Sequence, residues 1–347
     1  MRILLATLIL LPAFALADDV PPLKPVPAPG TTLEQWERQR ADIIRRFELV
    51  AGALPEPESP VPLDPKVIEE VELEDGIIRR KISYHTDSAD QRHTAFLMIP
   101  PTEPGQQRPA VIVFHSTQSD GKLQPVGLAH LPSRHIALHL AQRGYVTISP
   151  DYPSFGEFEH EFKTDDYESG VMLAIYSNIR TVDLLTRQPE VNDEHIGAIG
   201  HSLGGHTAIF TALYEPRIKA VVSNCGFTRF HRYYEGDLTG WTSARYFPKI
   251  ASVYGKDPGK VPFDFHELIA YLAPRPFLAS SPIHDSNFDV TGVKETVAAA
   301  ESAYKLYNKP SNLQANYPNC AHDFPPEVRE VAYSFLDQYL KPSSNPE

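Results

Sequence analysis

Residues 195–206 constrain this chain more than any other stretch. His195-Ile196-Gly197-Ala198-Ile199-Gly200 is a short apolar run, and His201-Ser202-Leu203-Gly204-Gly205 follows at once. Thr207-Ala208-Ile209-Phe210-Thr211-Ala212-Leu213 then continues with the composition of a buried helix. Strand, G-x-S-x-G turn and helix in that order make a nucleophile elbow, a sharp bend that lifts a serine hydroxyl clear of the backbone at the end of a sheet. Such strain costs free energy and persists mainly where it serves a function. Gly200 and Gly204 carry no Cβ, which lets strand and helix approach across the bend. The bare pattern is a weak signal, and its flanks make it informative. A plain Gly-rich turn is the bland alternative. Ser202 is the expected nucleophile.

The rest of the chain supplies a sheet for that bend. Residues 67–74, 77–84 and 94–99 alternate or run apolar with β-branched residues and read as leading strands. Residues 109–115 hold Ala110-Val111-Ile112-Val113-Phe114, a run that suits a strand buried on both faces. From there the pattern alternates. Helices are expected at 133–143, 168–187, 203–214, 290–307 and 326–340, with strands at 145–149, 195–200, 220–223, 276–280 and 313–317. This predicts an α/β fold with a mainly parallel central sheet and helices on both faces. Active sites of such sheets lie at the carboxyl ends of the strands.

Upstream, residues 18–66 read as a Pro-rich linker followed by a charged helix that runs from a Thr32-x-x-Gln35 capping box to about Leu54. Trp36, Ile43, Ile44 and Phe47 can share one face of it. Residues 67–342 form the main domain and 343–347 a tail. Residues 226–265 break the alternation. They carry ten aromatic residues, among them Tyr233, Tyr234, Trp241 and Tyr246, together with Arg229, Arg232 and Arg245. An insertion of this length is usually a lid or a binding loop. Its aromatic faces suit sugar rings or phenolic groups and its arginines suit a carboxylate. Packing of the aromatics on one another is the competing reading.

Residues 1–17 have the form of a secretory leader: Arg2, an apolar run to Phe14, and Ala15-Leu16-Ala17 as an A-x-A cleavage site. The expectation is an exported chain, periplasmic or secreted, beginning near Asp18, with no membrane anchor. The formal charge of -12 argues against nucleic acid and anionic membranes as partners. Two cysteines, Cys225 and Cys320, both follow strands at the same sheet edge. Export permits a bridge between them, worth about 3–5 kcal/mol on the chain-entropy model, and two free thiols are the equal alternative.

A serine hydroxyl needs a base, and the base needs an orienting acid. On elbow-bearing sheets the order along the chain is Ser, then Asp or Glu, then His. His322 follows the last strand and is the expected base. Asp285 follows the strand at 276–280 and is the favoured acid. Asp289 competes, but it directly precedes a helix and reads well as its N-cap. Asp323 is read as structural. The oxyanion of a tetrahedral intermediate needs preorganised donors. One is expected from the N–H of Leu203 and the other from Ser116, Thr117 or Gln118, with Thr117 preferred. Tyr152 or Glu157 is placed near the pocket, with Tyr152 and Trp241 as substrate-binding candidates. Asp151 is given a structural role. No metal-binding motif or cofactor fingerprint is present, and His201 and His206 are expected to bond locally on the helix.

These residues resemble the α/β-hydrolase superfamily, in particular exported bacterial members of the dienelactone-hydrolase and acetyl-xylan-esterase-like group. The resemblance runs from about Trp36 to Leu340 and rests on Trp36-Glu37-Arg38-Gln39-Arg40, Gly52-Ala53-Leu54-Pro55, Gly121-Lys122, Arg143-Gly144-Tyr145-Val146, Pro150-Asp151-Tyr152, the elbow and His322-Asp323-Phe324. Two positions depart from the pattern. His115-Ser116-Thr117 stands where His-Gly-Gly is usual, and serine stands where dienelactone hydrolases have cysteine. The resemblance implies the α/β-hydrolase fold and hydrolysis of carboxylic esters through an acyl-enzyme, with a small-molecule or carbohydrate ester as substrate, including acyl esters of polysaccharides. A serine peptidase of the prolyl-oligopeptidase type uses the same residue order, but residues 18–66 are too few for a propeller. A non-catalytic binding protein on the same scaffold is the other alternative. The oligomeric state stays open.

Overall fold

The computed structural model describes residues 20–56, 59–162 and 167–341. The leader at 1–17 and the tail at 343–347 lie outside the described residues. Nine strands form one sheet in the order β1 (Lys66–Glu72), β2 (Ile78–Tyr84), β3 (His93–Ile99), β5 (Val146–Pro150), β4 (Arg108–Phe114), β6 (Val191–His201), β7 (Ile218–Asn224), β8 (Phe277–Ser280) and β9 (Leu313–Asn316). The first three strands and β5 pair antiparallel, and β5, β4, β6, β7, β8 and β9 pair parallel. The fold is therefore α/β, with a mixed and mostly parallel central sheet.

The continuous apolar run of β4 is needed because both of its faces are covered. Ala110, Ile112 and Phe114 enter one core cluster, and Val111 and Val113 enter the other. Successive strand side chains point to opposite faces, so a strand between two cores has no place for a polar residue. On one face lie α1 (Leu33–Ala51), α3 (Gly170–Leu185), α4 (Leu203–Tyr214), α6 (Phe265–Leu272) and α7 (Val290–Leu306). On the other lie α2 (Ile136–Gln142) and α8 (Pro326–Leu340). The first helix opens on the capping box read from sequence: Gln35 N–H donates to Thr32 Oγ1, and Thr32 N–H donates to Gln35 Oε1. It buries Trp36, Ile43 and Phe47, whereas Ile44 is only partly covered.

Two differences from the sequence reading have local causes. The helix expected at 133–143 is a 3₁₀ turn, Pro132–Arg134, followed by the shorter α2. His135, between them, has ψ 47° and so leaves the helical region, which separates the two. The helix α6 was not read at all. Its signal is a second capping box, Asp264 with Glu267, placed where the aromatic insertion ends.

The insertion contains two 3₁₀ stretches and the short α5 (Lys249–Ser252). Phe230, Phe247, Phe263 and Phe265 are fully covered, and they pack with Phe47 of α1 and Phe210 of α4. One half of the insertion is thus part of the core on that face of the sheet. Its base is fastened to the segment after β5. Tyr152 Oη donates to Arg245 O at 2.8 Å, Gly170 N–H donates to Ala244 O at 2.8 Å, and Arg245 Nε donates to Ser154 Oγ at 2.7 Å.

Candidate active site

Strand register gathers the candidate residues. Phe114 pairs with Gly200, His201 with Asn224, Asn224 with Ser280, and Ser280 with Asn316. The loops that begin after these positions leave one edge of the sheet, and they carry Thr117, Ser202, Cys225, Asp285 and His322. The chain also leaves β4 toward β5 on one side and returns to β6 on the other. Crevices for ligands form at such a reversal.

Ser202 has φ 57° and ψ -117°, far from any regular region for a residue with a side chain. Its N–H donates to Asn224 O at 2.9 Å. The glycines around it show why the bend requires them. A Cβ on Gly204 would lie 2.2 Å from Phe114 O, and one on Gly200 would lie 2.3 Å from the Gly204 carbonyl. Helix α4 begins directly after Ser202, so its first N–H groups are unpaired within the helix and carry the positive end of its dipole. The N–H of Leu203 is the first of these.

His322 Nδ1–H donates to Asp285 Oδ2 at 2.9 Å. The Asp285 side chain is 1 % exposed. Its other oxygen accepts the N–H groups of Asn287 and Phe288 at 2.8 and 3.0 Å. Asp289 instead accepts the N–H of Thr291 at 2.6 Å and caps α7. The loop of His322 is held from three sides. Arg134 donates to Asp323 Oδ1 at 2.6 Å and to His322 O at 3.2 Å, Ser133 Oγ donates to Asp323 Oδ1 at 3.1 Å, and Asn224 Nδ2 donates to Asp323 O at 3.2 Å. Burial alone would raise the Asp323 carboxyl, but the Phe324 N–H and the Arg134 charge hold it below its usual range.

The loop after β4 is equally fixed. Tyr152 N–H donates to His115 Nε2 at 2.9 Å, so the ring's proton sits on Nδ1 and is given to Ser116 O at 2.7 Å. Ser116 N–H donates to Gln124 Oε1 at 3.2 Å. With Ser116 committed, Thr117 is the next donor along the loop, and it lines a cavity of about 160 Å³ together with Ser202. Tyr233, Tyr234, Trp241, Tyr246 and Phe288 form the aromatic wall of that cavity. None of the residues lining it is charged.

Several sequence expectations find their residues elsewhere. Tyr152 is 6 % exposed and packs behind Leu203 and Ala174, so it anchors the insertion and does not line the cavity of Ser202. Glu157 pairs with Lys81 and Lys122 and accepts from Thr94. Against the cost of its partial burial, these partners bring its carboxyl down to about 2. Asp151 is buried with Lys122 and accepts that residue's N–H at 2.7 Å. Arg229 and Arg232 are tied to Glu295 at 2.7 and 2.9 Å, and Arg245 to Ser154, so none of the three faces Ser202. His201 bonds to the last residue of β7 and His206 to the segment just after it, neither along the helix. Asn224 Nδ2 donates to His201 Nδ1 at 2.6 Å, and His206 Nδ1 lies 3.1 Å from Gly226 O.

Cys225 and Cys320 are both free thiols. Burial pushes the Cys225 thiol well above its usual range, and the nearby Asp285 carboxylate adds to this. Among the described residues, His201, Cys225 and His322 form one group whose ligand atoms lie within 4.8 Å of one another. The Nδ1 atoms of both rings are already taken by Asn224 and Asp285, and a metal there would have to compete with the Asp285 bond.

A sequence model of the family described as "Glucuronyl esterase, fungi" matches residues 94–309, more than half of the chain. Putative hydrolase YtaP of Bacillus subtilis is 25% identical over 250 residues, which cover 67% of this chain and 79% of that protein. The 4-O-methyl-glucuronoyl methylesterase 1 of Wolfiporia cocos is 24% identical over 204 residues, 53% of this chain and 50% of that protein. Among solved structures, a glucuronoyl esterase from Solibacter usitatus superposes with a TM-score of 0.70 at 19% identity, over 89% of this chain and 94% of that one. These likenesses support an α/β-hydrolase-fold esterase related to glucuronoyl esterases, and do not single out the dienelactone-hydrolase group to which the sequence motifs pointed. On the extent of the family match, the chain belongs to the glucuronyl esterase family.

Proposed function

We propose that this protein is an exported serine hydrolase that cleaves carboxylic esters of carbohydrates, with a uronic acid as the acyl part. The observation that carries the reading is the 2.9 Å bond between Asp285 and His322 at the sheet edge where the strained Ser202 emerges. In this reading His322 Nε2 takes the proton of Ser202 Oγ as it attacks the ester carbonyl. Asp285 fixes the tautomer and stabilises the imidazolium that forms. The oxyanion is met by the N–H groups of Leu203 and Thr117, each worth about 10²–10³ in rate. His322 then protonates the departing alcohol, and water cleaves the acyl-enzyme by the same route.

The uncharged cavity around Ser202 supports an ester over a free acid. A uronic acid is neutral once esterified, whereas its free carboxylate would find no cation on that wall. Glucuronoyl esters put the sugar on the acyl side, and the names of the relatives point the same way. The test is release of methanol from methyl glucuronate and burst release from p-nitrophenyl acetate. Ser202→Ala should abolish both, and unchanged turnover in that variant would refute the reading. Export is read from residues 1–17 alone. The mature protein recovered from the periplasm or medium should begin at Asp18 by mass spectrometry, and an intact leader on active, soluble protein would count against it.

A further inference from the structure

Cys225 is a buried thiol that the ester chemistry leaves unused. It stands directly after β7 with φ 50°, in the left-handed region that favours glycine, and its N–H donates to Ser280 O at 2.8 Å. Strain at a residue with a Cβ costs on the order of 1–3 kcal/mol and is retained where a side chain must sit in one place. Here it sets the sulfur beside His201 and His322. Among the described residues, the ligand atoms of these three lie within 4.8 Å of one another, and the two imidazole centroids are 4.7 Å apart.

An electropositive atom already sits among them. Asn224 Nδ2 lies 2.6 Å from His201 Nδ1, 3.4 Å from Cys225 Sγ and 3.2 Å from Asp323 O. A ring lone pair, a sulfur and a carbonyl oxygen thus face one point, and the amide protons stand where the charge of a cation would. The other end of the amide, Oδ1, is buried and accepts no hydrogen bond from the described residues. Two carboxylates flank the group, Asp285 on His322 and Cys225 and Asp323 on the same loop, against the single guanidinium of Arg134. The balance of one negative charge favours a cation.

The donor set selects which cation. Zinc holds thiolate and imidazole at about 2.0–2.3 Å, which puts tetrahedral ligand atoms about 3.3–3.6 Å from one another. A closing movement of about 1 Å brings the trio to that spacing. Mg²⁺ and Ca²⁺ take oxygen ligands and do not suit a sulfur and two rings.

We propose that His201, Cys225 and His322 form a binding site for a thiophilic divalent cation, and that its occupation switches the hydrolase off. The switching rests on the serine-esterase reading, and the site does not. The ion bonds to one sulfur and to two imidazole lone pairs, displaces the Asn224 amide, and releases the thiol proton of Cys225 to water. No group is oxidised or reduced. Either nitrogen of His322 serves to stop the reaction. At Nε2 the ion takes the lone pair that must accept the Ser202 proton, and at Nδ1 it displaces Asp285.

The probe is Cd²⁺, whose bond to a thiolate absorbs in the ultraviolet. The titration uses Cys320→Ala, in which Cys225 is the only cysteine of the chain. A saturable cadmium–sulfur band should grow at micromolar Cd²⁺, turnover of p-nitrophenyl acetate should fall with the same midpoint, and a chelator should reverse both. Adding Cys225→Ala should abolish the band and make turnover resistant to Cd²⁺. Adding His201→Gln should keep the band but weaken its midpoint by about 10-fold or more, since even an outer partner of a metal site is worth that much. Absence of the band in Cys320→Ala, inhibition that survives Cys225→Ala, or a midpoint unmoved by His201→Gln overturns the site. A band without Ser202-dependent turnover of any ester overturns the esterase reading and keeps the site. Ser202-dependent turnover that millimolar Cd²⁺ leaves untouched overturns the switch and keeps the esterase.

Discussion

Asp285 and Asp289 stand four residues apart, and their side chains do opposite work. One oxygen of Asp285 is spent on the N–H groups of Asn287 and Phe288, which leaves the other aimed at His322. Asp289 spends its carboxylate on the first turn of α7. Asp285→Asn should therefore lower kcat by about 10³–10⁴-fold with little change in fold, because the amide favours the wrong imidazole tautomer. Asp289→Ala should cost about 1 kcal/mol of stability through the lost cap and leave kcat within about twofold. Steady-state kinetics beside thermal unfolding decide the matter, and the reverse pattern would exchange the two assignments. The strained turn at Ser202 and the pairing of His322 with Asp285 were legible in the sequence because each needs a particular residue type after a particular strand. Tyr152 was not. Position at the sheet edge says that a side chain starts near the site, but not that Arg245 O, part of an insertion about ninety residues away, will claim its hydroxyl.

At the level of elements, His322, the proposed general base, sits on a loop with no regular structure, between β9 and α8. Such loops are the mobile part of a fold. This one is clasped by the Pro132–Arg134 turn, whose guanidinium, 8 % exposed, reaches both the Asp323 carboxylate and the His322 carbonyl. Hydrogen bonds to charged groups are worth about 1.5–3 kcal/mol each. Arg134→Met should thus lower the population of aligned His322 and reduce kcat by about tenfold or more, with KM little changed. A variant that changes KM alone would mean that Arg134 acts on substrate and not on the loop. The turn was read from sequence as the start of a long helix, because helical periodicity runs on through 133–143 and nothing local announces the non-helical ψ of His135. The aromatic insertion had two readings, a cap packing on itself and a binding wall, and its residues divide between them. Phe230 and Phe247 are core, while Tyr233, Tyr234 and Trp241 face the serine. Composition gave the number of aromatic rings, but their division depends on which side of each 3₁₀ stretch meets α1 and α4.

Across the whole molecule, buried histidines set the response to acid. Burial pushes His93, His139 and His266 down to about 4 and His206 down to about 3. The same side chains in the unfolded chain titrate near 6.5. Between pH 6.5 and 4 the unfolded chain therefore takes up protons that the native protein refuses, and stability falls as pH falls through that window. Asp264 opposes this trend. Burial raises its carboxyl to about 7, despite the N–H groups of Phe265 and Phe230 that it accepts. The native protein then holds a proton that the unfolded chain releases near 4, so the contribution of Asp264 is fully present below about pH 4 and is lost as pH rises to 7. Four histidines against one aspartate give a net loss on acidification. The thermal midpoint should decline from pH 7 to pH 5. Asp264→Asn isolates the opposing group, since the amide oxygen can still accept the Phe265 N–H while the charge is gone. Its midpoint relative to wild type should be higher at pH 8 than at pH 5, and the acid decline should be steeper than in the wild type. An equal offset at both pH values would show that Asp264 does not change its proton affinity on folding.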